Sequence, residues 1–129
     1  MANVSMGTGV VASDATSAAA IAAALGYTPN AQQDVQNLSP TAGQTISMTD
    51  NSVDGLLWLT PAGTLATLTV NFPSDANSRI GQVRSVGSSK QITAITLSNA
   101  TFFNTVSTIA LGECYSFQKV AANTWVRIL

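Results

Sequence analysis

At 129 residues the chain has room for one hydrophobic core and an arm, and only 9% of its residues are charged, against about 25% in ordinary soluble domains. A formal net charge of −1 supplies no general field for nucleic acid or an anionic membrane, because phosphate binding needs clustered Lys and Arg that release counterions. One cysteine, Cys114, and no histidine exclude an intrachain disulfide and Cys/His metal sites, so neither a metal nor a cofactor is expected.

Met1 to Ser13 is rich in small residues without periodicity and reads as an extended arm; it lacks the basic n-region of a signal peptide, so export by that route is not expected. The stretch Asp14 to Pro29, DATSAAAIAAALGYTP, predicts a short α-helix over about 14–25. Ser13 or Asp14 can cap the first free amides, and Ala18 to Ala24 has the highest helix propensity available. Gly26 stands where a left-handed residue ends a helix, and Pro29 forbids continuation because it has no amide hydrogen. The run is far too short to span a bilayer, so no membrane partner is expected.

On that helix only Ile21 and Leu25, four apart and on one face, offer more than a methyl group. Burying both would stabilise by roughly 3–6 kcal/mol, while ordering each backbone residue costs about 1–2 kcal/mol, so the helix needs a partner. Docking on its own β-domain is one solution; the favoured one is packing against copies of itself or a larger assembly, with Ile21, Leu25, Gly26, Tyr27 and Pro29 as the expected interface.

Asn30 to Thr41 is polar and punctuated by Pro40, which reads as a connector with at most one helical turn, making residues 1–41 an assembly arm. From Gln44 the hydrophobic period becomes two. Ile46 and Met48 mark one strand; Leu56 to Thr60 lacks alternation and predicts a strand covered on both faces; Leu68, Val70 and Phe72 mark a third, followed by a loop over Pro73 to Ser78. Further strands are expected at Ile80 to Val86, Ile92 to Ser98, Thr105 to Leu111, Cys114 to Val120 and Thr124 to Leu129, with turns at Gly87, Gly112 and the AAN before Thr124. About eight short strands at intervals of about ten residues, with no repeat at solenoid spacing, predict a mainly β domain over 42–129, an antiparallel sandwich, jelly roll or small barrel.

Asp50-Asn-Ser-Val-Asp54-Gly55 opens like a calcium loop, but Pro61 occupies the position of the bidentate glutamate, so a turn with Asp54-Gly55 as its tight corner is favoured. Ser88-Ser89-Lys90 has no recognisable oxyanion site and reads as a solvated hairpin turn, not a lysine-activated nucleophile. No catalytic residue is expected. Trp58, Trp125, Tyr27, Tyr115, Phe102 and Phe103 could stack on sugars if exposed, although core is the better default for strand aromatics. Charge is split along the chain: five aspartates precede the first base and carry −5, while the segment from Arg79 onward carries +4. This suggests acidic and basic surfaces that register against each other in neighbouring copies.

The segment IAAALGYTPN resembles the alanine-rich helix followed by L-G-Y-T-P that recurs in tail-fibre and head-fibre proteins of tailed bacteriophages, and the β-rich remainder ending in ANTWVRI resembles the small β-domains that close many phage structural chains. The resemblance implies a non-enzymatic virion protein on the outer particle surface, made in the host cytoplasm: a capsid decoration or short head-fibre protein, with its own copies as a homotrimer and the major capsid protein or other virion proteins as partners. The alternative it implies is a tail-fibre or baseplate component with a receptor- or carbohydrate-binding β-domain, for which a host glycan would be the partner.

Overall fold

The computed structural model describes residues 33–129; the expected arm over 1–32 and the helix over about 14–25 lie outside the described residues. Those described form nine strands and no helix, so the domain is mainly β. The strands are β1 (Asp34–Leu38), β2 (Thr45–Ser47), β3 (Gly55–Leu59), β4 (Leu65–Asn71), β5 (Val83–Ser88), β6 (Ile92–Ser98), β7 (Thr101–Phe103), β8 (Cys114–Ala121) and β9 (Thr124–Arg127).

The expected antiparallel sandwich or jelly roll is replaced by a stack of coils. A six-stranded sheet has the order β1-β3-β5-β8-β9-β7, and a three-stranded sheet the order β2-β4-β6. Strands β1, β3 and β5 pair in parallel, as do β2, β4 and β6. The chain therefore lays one strand in each sheet, returns one position over, and repeats this three times. Parallel neighbours need long connections, and here each connection contains the opposite sheet's strand. Coil lengths are unequal: Asp34 faces Gly55, 21 positions on, and Gly55 faces Arg84, 29 positions on. That inequality hides the solenoid-like arrangement from any search for a fixed repeat.

The last third is different. β8 runs antiparallel to both β5 and β9, while β7 pairs in parallel with β9 at the sheet edge. Residues 105–111 do not form the expected strand; Ile109 makes a single antiparallel bridge to Ile92, and the Ile95 amide donates to the Ser107 carbonyl at 2.9 Å. The segment thus satisfies part of the free edge of β6, which would otherwise offer unpaired backbone to another chain.

Inward positions of both sheets make one core, from Ile46 and Met48 through Leu57, Leu59, Val70 and Val86 to Phe117 and Trp125. Phe72 sits at its aromatic centre, edge-on to Phe102 (4.8 Å between centroids), Trp125 (5.1 Å) and Phe117 (5.5 Å). Such pairs contribute about 0.5–1.5 kcal/mol each beyond their area. β3 is not covered equally on both faces as expected: Leu57 and Leu59 are buried, Leu56 and Trp58 half-buried on the outside.

Two further expectations are corrected. Residues 34–38, expected within a polar connector, are β1, so β-structure begins ahead of the expected boundary at 41/42. Gly87 is not a turn but a strand residue opposite Cys114; a Cβ there would stand 2.9 Å from both the Glu113 carbonyl and the Trp58 ring, a closeness only glycine allows.

Candidate functional site

The residues expected to form an assembly interface, Ile21, Leu25, Gly26, Tyr27 and Pro29, lie outside the described residues. The ion pairs and a set of side-chain hydrogen bonds gather at one end of the coil stack, where residues 48–54 between β2 and β3 meet residues 72–82 between β4 and β5.

Both aspartates that gave the calcium-loop likeness here serve protein donors. The Asp50 carboxylate accepts from the Ser74 amide (2.7 Å), the Ser74 hydroxyl (2.9 Å) and Asn77 Nδ2 (2.8 Å). Asn51 Oδ1 accepts from the Val53 amide at 3.0 Å and from the Arg84 guanidinium, and Asp54 Oδ1 accepts from the Val83 amide at 2.9 Å and Arg79 Nη2 at 3.0 Å. Among the described residues no three His, Cys, Asp or Glu side chains are grouped to hold a metal ion. The Asp54-Gly55 corner of a hairpin is likewise absent, since β2 and β3 lie in different sheets. Gly55 is small for another reason: a Cβ there would collide with the Asp34 carbonyl and stand 3.0 Å from Arg84 Nη1.

Three buried polar side chains clamp this end. Arg84, 1% exposed, reaches across Gly55 to Asp34 (Nη1 to Oδ2, 3.3 Å) and donates to the Thr49 carbonyl at 3.1 Å. Burial draws its pKa below the ordinary arginine value, opposed by Asp34 and then by Asp54 and Asp50. Gln82 donates to the carbonyls of Asn51 (2.9 Å) and Val53 (2.8 Å) and accepts from the Arg79 amide (3.1 Å). Lys119 Nζ, also buried, meets Asp75 Oδ1 and Ser78 Oγ, each at 2.8 Å.

This arrangement explains the split of charge in the sequence. Among the described residues the ion pairs are Asp34 with Arg84, Asp54 with Arg79 and Asp75 with Lys119, each joining an acid of the first part to a base of the second. Charges far apart in sequence thus hold successive coils together within one chain, where the sequence suggested register between copies.

Hydrogen bonds from Asn77 and Ser74 lower the Asp50 pKa, and those from Lys119 and the Asn123 amide lower that of Asp75. A carboxylate whose pKa is depressed on folding contributes stability that is present above its unfolded value, near 3.8, and is lost as pH falls through the folded one. The melting temperature should therefore hold level from pH 7 to about 5 and fall below about pH 4. Asp75→Asn should flatten part of that fall; an acid limb identical in the variant would show that the Asp75 clamp carries none of it.

The remaining candidates are also placed. Ser88 is fully buried at the corner between β5 and β6, where its hydroxyl donates to the Lys90 carbonyl (2.6 Å) and accepts from the Lys90 amide (3.2 Å). It forms a corner between sheets, not the expected solvated hairpin turn, and no activating base contacts it. Trp125 is core, Tyr115 packs against the core with its hydroxyl donating to Glu113 (2.7 Å), and Phe103 is exposed. Trp58, half-buried over Gly87, is the described tryptophan that keeps a partly accessible ring.

The buried bases were missed in the sequence, although a signal was present. Arg84 is in phase with Val86, and Lys119 with Phe117, both core residues, so strand alternation already turns these bases inward. The chain matches no family model, no curated protein and no solved structure.

Proposed function

We propose that this chain is a structural protein of a tailed-bacteriophage virion, a capsid decoration (cement) or short head-fibre protein whose β-domain lies on the outer particle surface. The observation that carries the reading is the segment IAAALGYTPN, an alanine-rich run closed by L-G-Y-T-P. Two features of the β-domain support it. Its buried polar groups join loops and coils to one another, and its sparse charges are largely consumed in internal pairs.

In this reading the N-terminal region binds the major capsid protein and joins copies into a homotrimer through Ile21 and Leu25. The protein acts by binding without turnover and needs no cofactor. Many weak attachments on a repeating lattice gain avidity, because each engagement raises the effective concentration of the next. Assembly takes place in the host cytoplasm.

The test is particle incorporation of the full chain carrying Leu25→Lys. Charge on the single apolar face should reduce occupancy at least about tenfold at limiting protein, equivalent to ~1.4 kcal/mol per site. Undiminished occupancy would remove the N-terminal region as the attachment. The alternative, a tail-fibre or baseplate component that reads a host glycan, draws its support from the partly accessible ring of Trp58. A glycan array silent for the parent protein would remove it.

A further inference from the structure

A stack of coils ends in edge strands, and an uncovered edge offers a row of unpaired N–H and C=O groups to any other chain. In the three-stranded sheet the edges are β2 and β6. Residues 105–111 take part of the β6 edge, where the Ile92 and Ile95 amides donate to the Ile109 and Ser107 carbonyls at 2.8 and 2.9 Å. Among the described residues no strand or bridge does this for β2, and a side chain does it instead.

The phase of β2 decides which of its groups are open. The Gln44 carbonyl accepts from the Thr69 amide (3.0 Å) and the Met48 amide donates to the Asn71 carbonyl (2.9 Å), so the even-numbered residues bond to β4. The backbone groups of Thr45, Ser47 and Thr49 therefore point to the free side of β2, away from β4. There Gln36 Nε2 donates to the Ser47 carbonyl at 3.3 Å, and Gln36 Oε1 accepts from the Thr49 amide at 2.8 Å. One residue of an added parallel strand would make the same two bonds, its amide to Ser47 and its carbonyl to Thr49. A glutamine amide carries that donor and that acceptor on one planar group, so it can stand in for a peptide. Gln36 lies on β1, in the other sheet, and alternates with the exposed Val35 and Asn37. Its side chain thus crosses the open end of the coil stack from one sheet to the other. The Thr49 carbonyl is taken as well, by Arg84 Nη2 at 3.1 Å.

We propose that Gln36 is an autoinhibitory contact that holds the β2 edge against the same end of a second copy. The first coil leaves β1 and β2 at one end of the stack, each at the edge of its sheet. A partner that continues the stack must offer two strands with the same separation, and the end of another copy does so. A two-fold axis through this end would set β1 on β1 and β2 on β2, each pair antiparallel. Charge does not prevent this, because the one charged residue of the two strands, Asp34, is paired with Arg84. With Gln36 in place only β1 offers a full edge, and one pair of five-residue strands is marginal in water without a second sheet to share the contact. The inference is independent of the virion reading.

The test uses the full-length protein. Gln36→Met keeps the length of the side chain and removes both bonds, while Gln36→Ser is too short to reach the edge and adds no apolar group. At sub-micromolar concentration both variants should exchange the Thr49 amide for deuterium at least tenfold faster than the parent. At tens of micromolar both should sediment at twice the parental mass, whatever that mass is, with far-ultraviolet circular dichroism unchanged. Gln36→Glu retains the acceptor for Thr49 and adds charge at the edge, so it should keep the parental mass. Parental mass in both Gln36→Met and Gln36→Ser at hundreds of micromolar would overturn the proposal, whether or not Thr49 exchange had quickened. A doubled mass in Gln36→Glu would overturn it equally, since association would then proceed with the Thr49 amide still engaged.

Discussion

Arg84→Ala should lower the melting temperature by more than 10 °C, the largest effect of any single substitution at the polar end. The guanidinium is 1% exposed and serves the Asp34 carboxylate, the Thr49 carbonyl and Asn51 Oδ1 together. Removing one partner of a buried pair costs about 3–5 kcal/mol, because the groups left behind keep their desolvation penalty and lose their donor. For a domain of this size each kcal/mol moves the midpoint by roughly 4–8 °C. Arg84→Lys should recover little, since one ammonium cannot span acceptors that the planar fork reaches from two nitrogens. Asp34→Asn should cost less than Arg84→Ala, because Asp34 retains 23% side-chain exposure and keeps a hydrogen-bonding oxygen. Thermal melts of the three variants check the order; a parent-like Arg84→Ala would mean that water replaces the guanidinium at no cost.

How far this fold was legible depends on which side chains face the core. Where apolar residues alternate, strands were found close to their true bounds: Ile46 and Met48 in and beyond β2, Leu68, Val70 and Phe72 along β4, and β6 at its observed residues 92–98. The pairing was not legible, because alternation is the same in parallel and antiparallel strands and the unequal coils of 21 and 29 residues leave no repeat to detect. Segment 105–111 shows the converse failure. Val106 and Ile109 are buried as a strand pattern demands, yet they cover an edge of the core with one bridge in place of a ladder. Gly87 misled for a related reason, since glycine marks both turns and places where another group approaches the backbone closely. The polar end was the least legible part. Its aspartates were visible, but their partners Arg79, Arg84 and Lys119 lie 25, 50 and 44 positions away, beyond any local motif.

β1 was the element most completely hidden, and it sets the last expectation: a chain beginning at Thr41 should fail to fold cooperatively, whereas one beginning at Gln33 should fold. DVQNL is a polar pentapeptide with the composition of a linker, and its burial alternates only between half-buried and exposed. It is nonetheless a strand because β3 supplies a full parallel ladder from Asp34 opposite Gly55 to Leu38 opposite Leu59. The Asp34 amide donates to the Asp54 carbonyl, and the Leu38 carbonyl accepts from the Thr60 amide, each at 2.8 Å. Leu38 packs on the core, Gln36 accepts from the Thr49 amide at 2.8 Å, and Asp34 neutralises Arg84. Cutting at Thr41 strands a buried guanidinium, at about 3–5 kcal/mol, and removes a half-buried leucine worth up to about 2 kcal/mol, before the ladder itself is counted. Domains of this length have only about 5–15 kcal/mol in total. The shorter chain should therefore lose its cooperative melt and bind a hydrophobic dye, while the chain from Gln33 keeps a sharp transition. Equal transitions in both would show that the ladder of β1 on β3 contributes nothing to the stability of the coil stack.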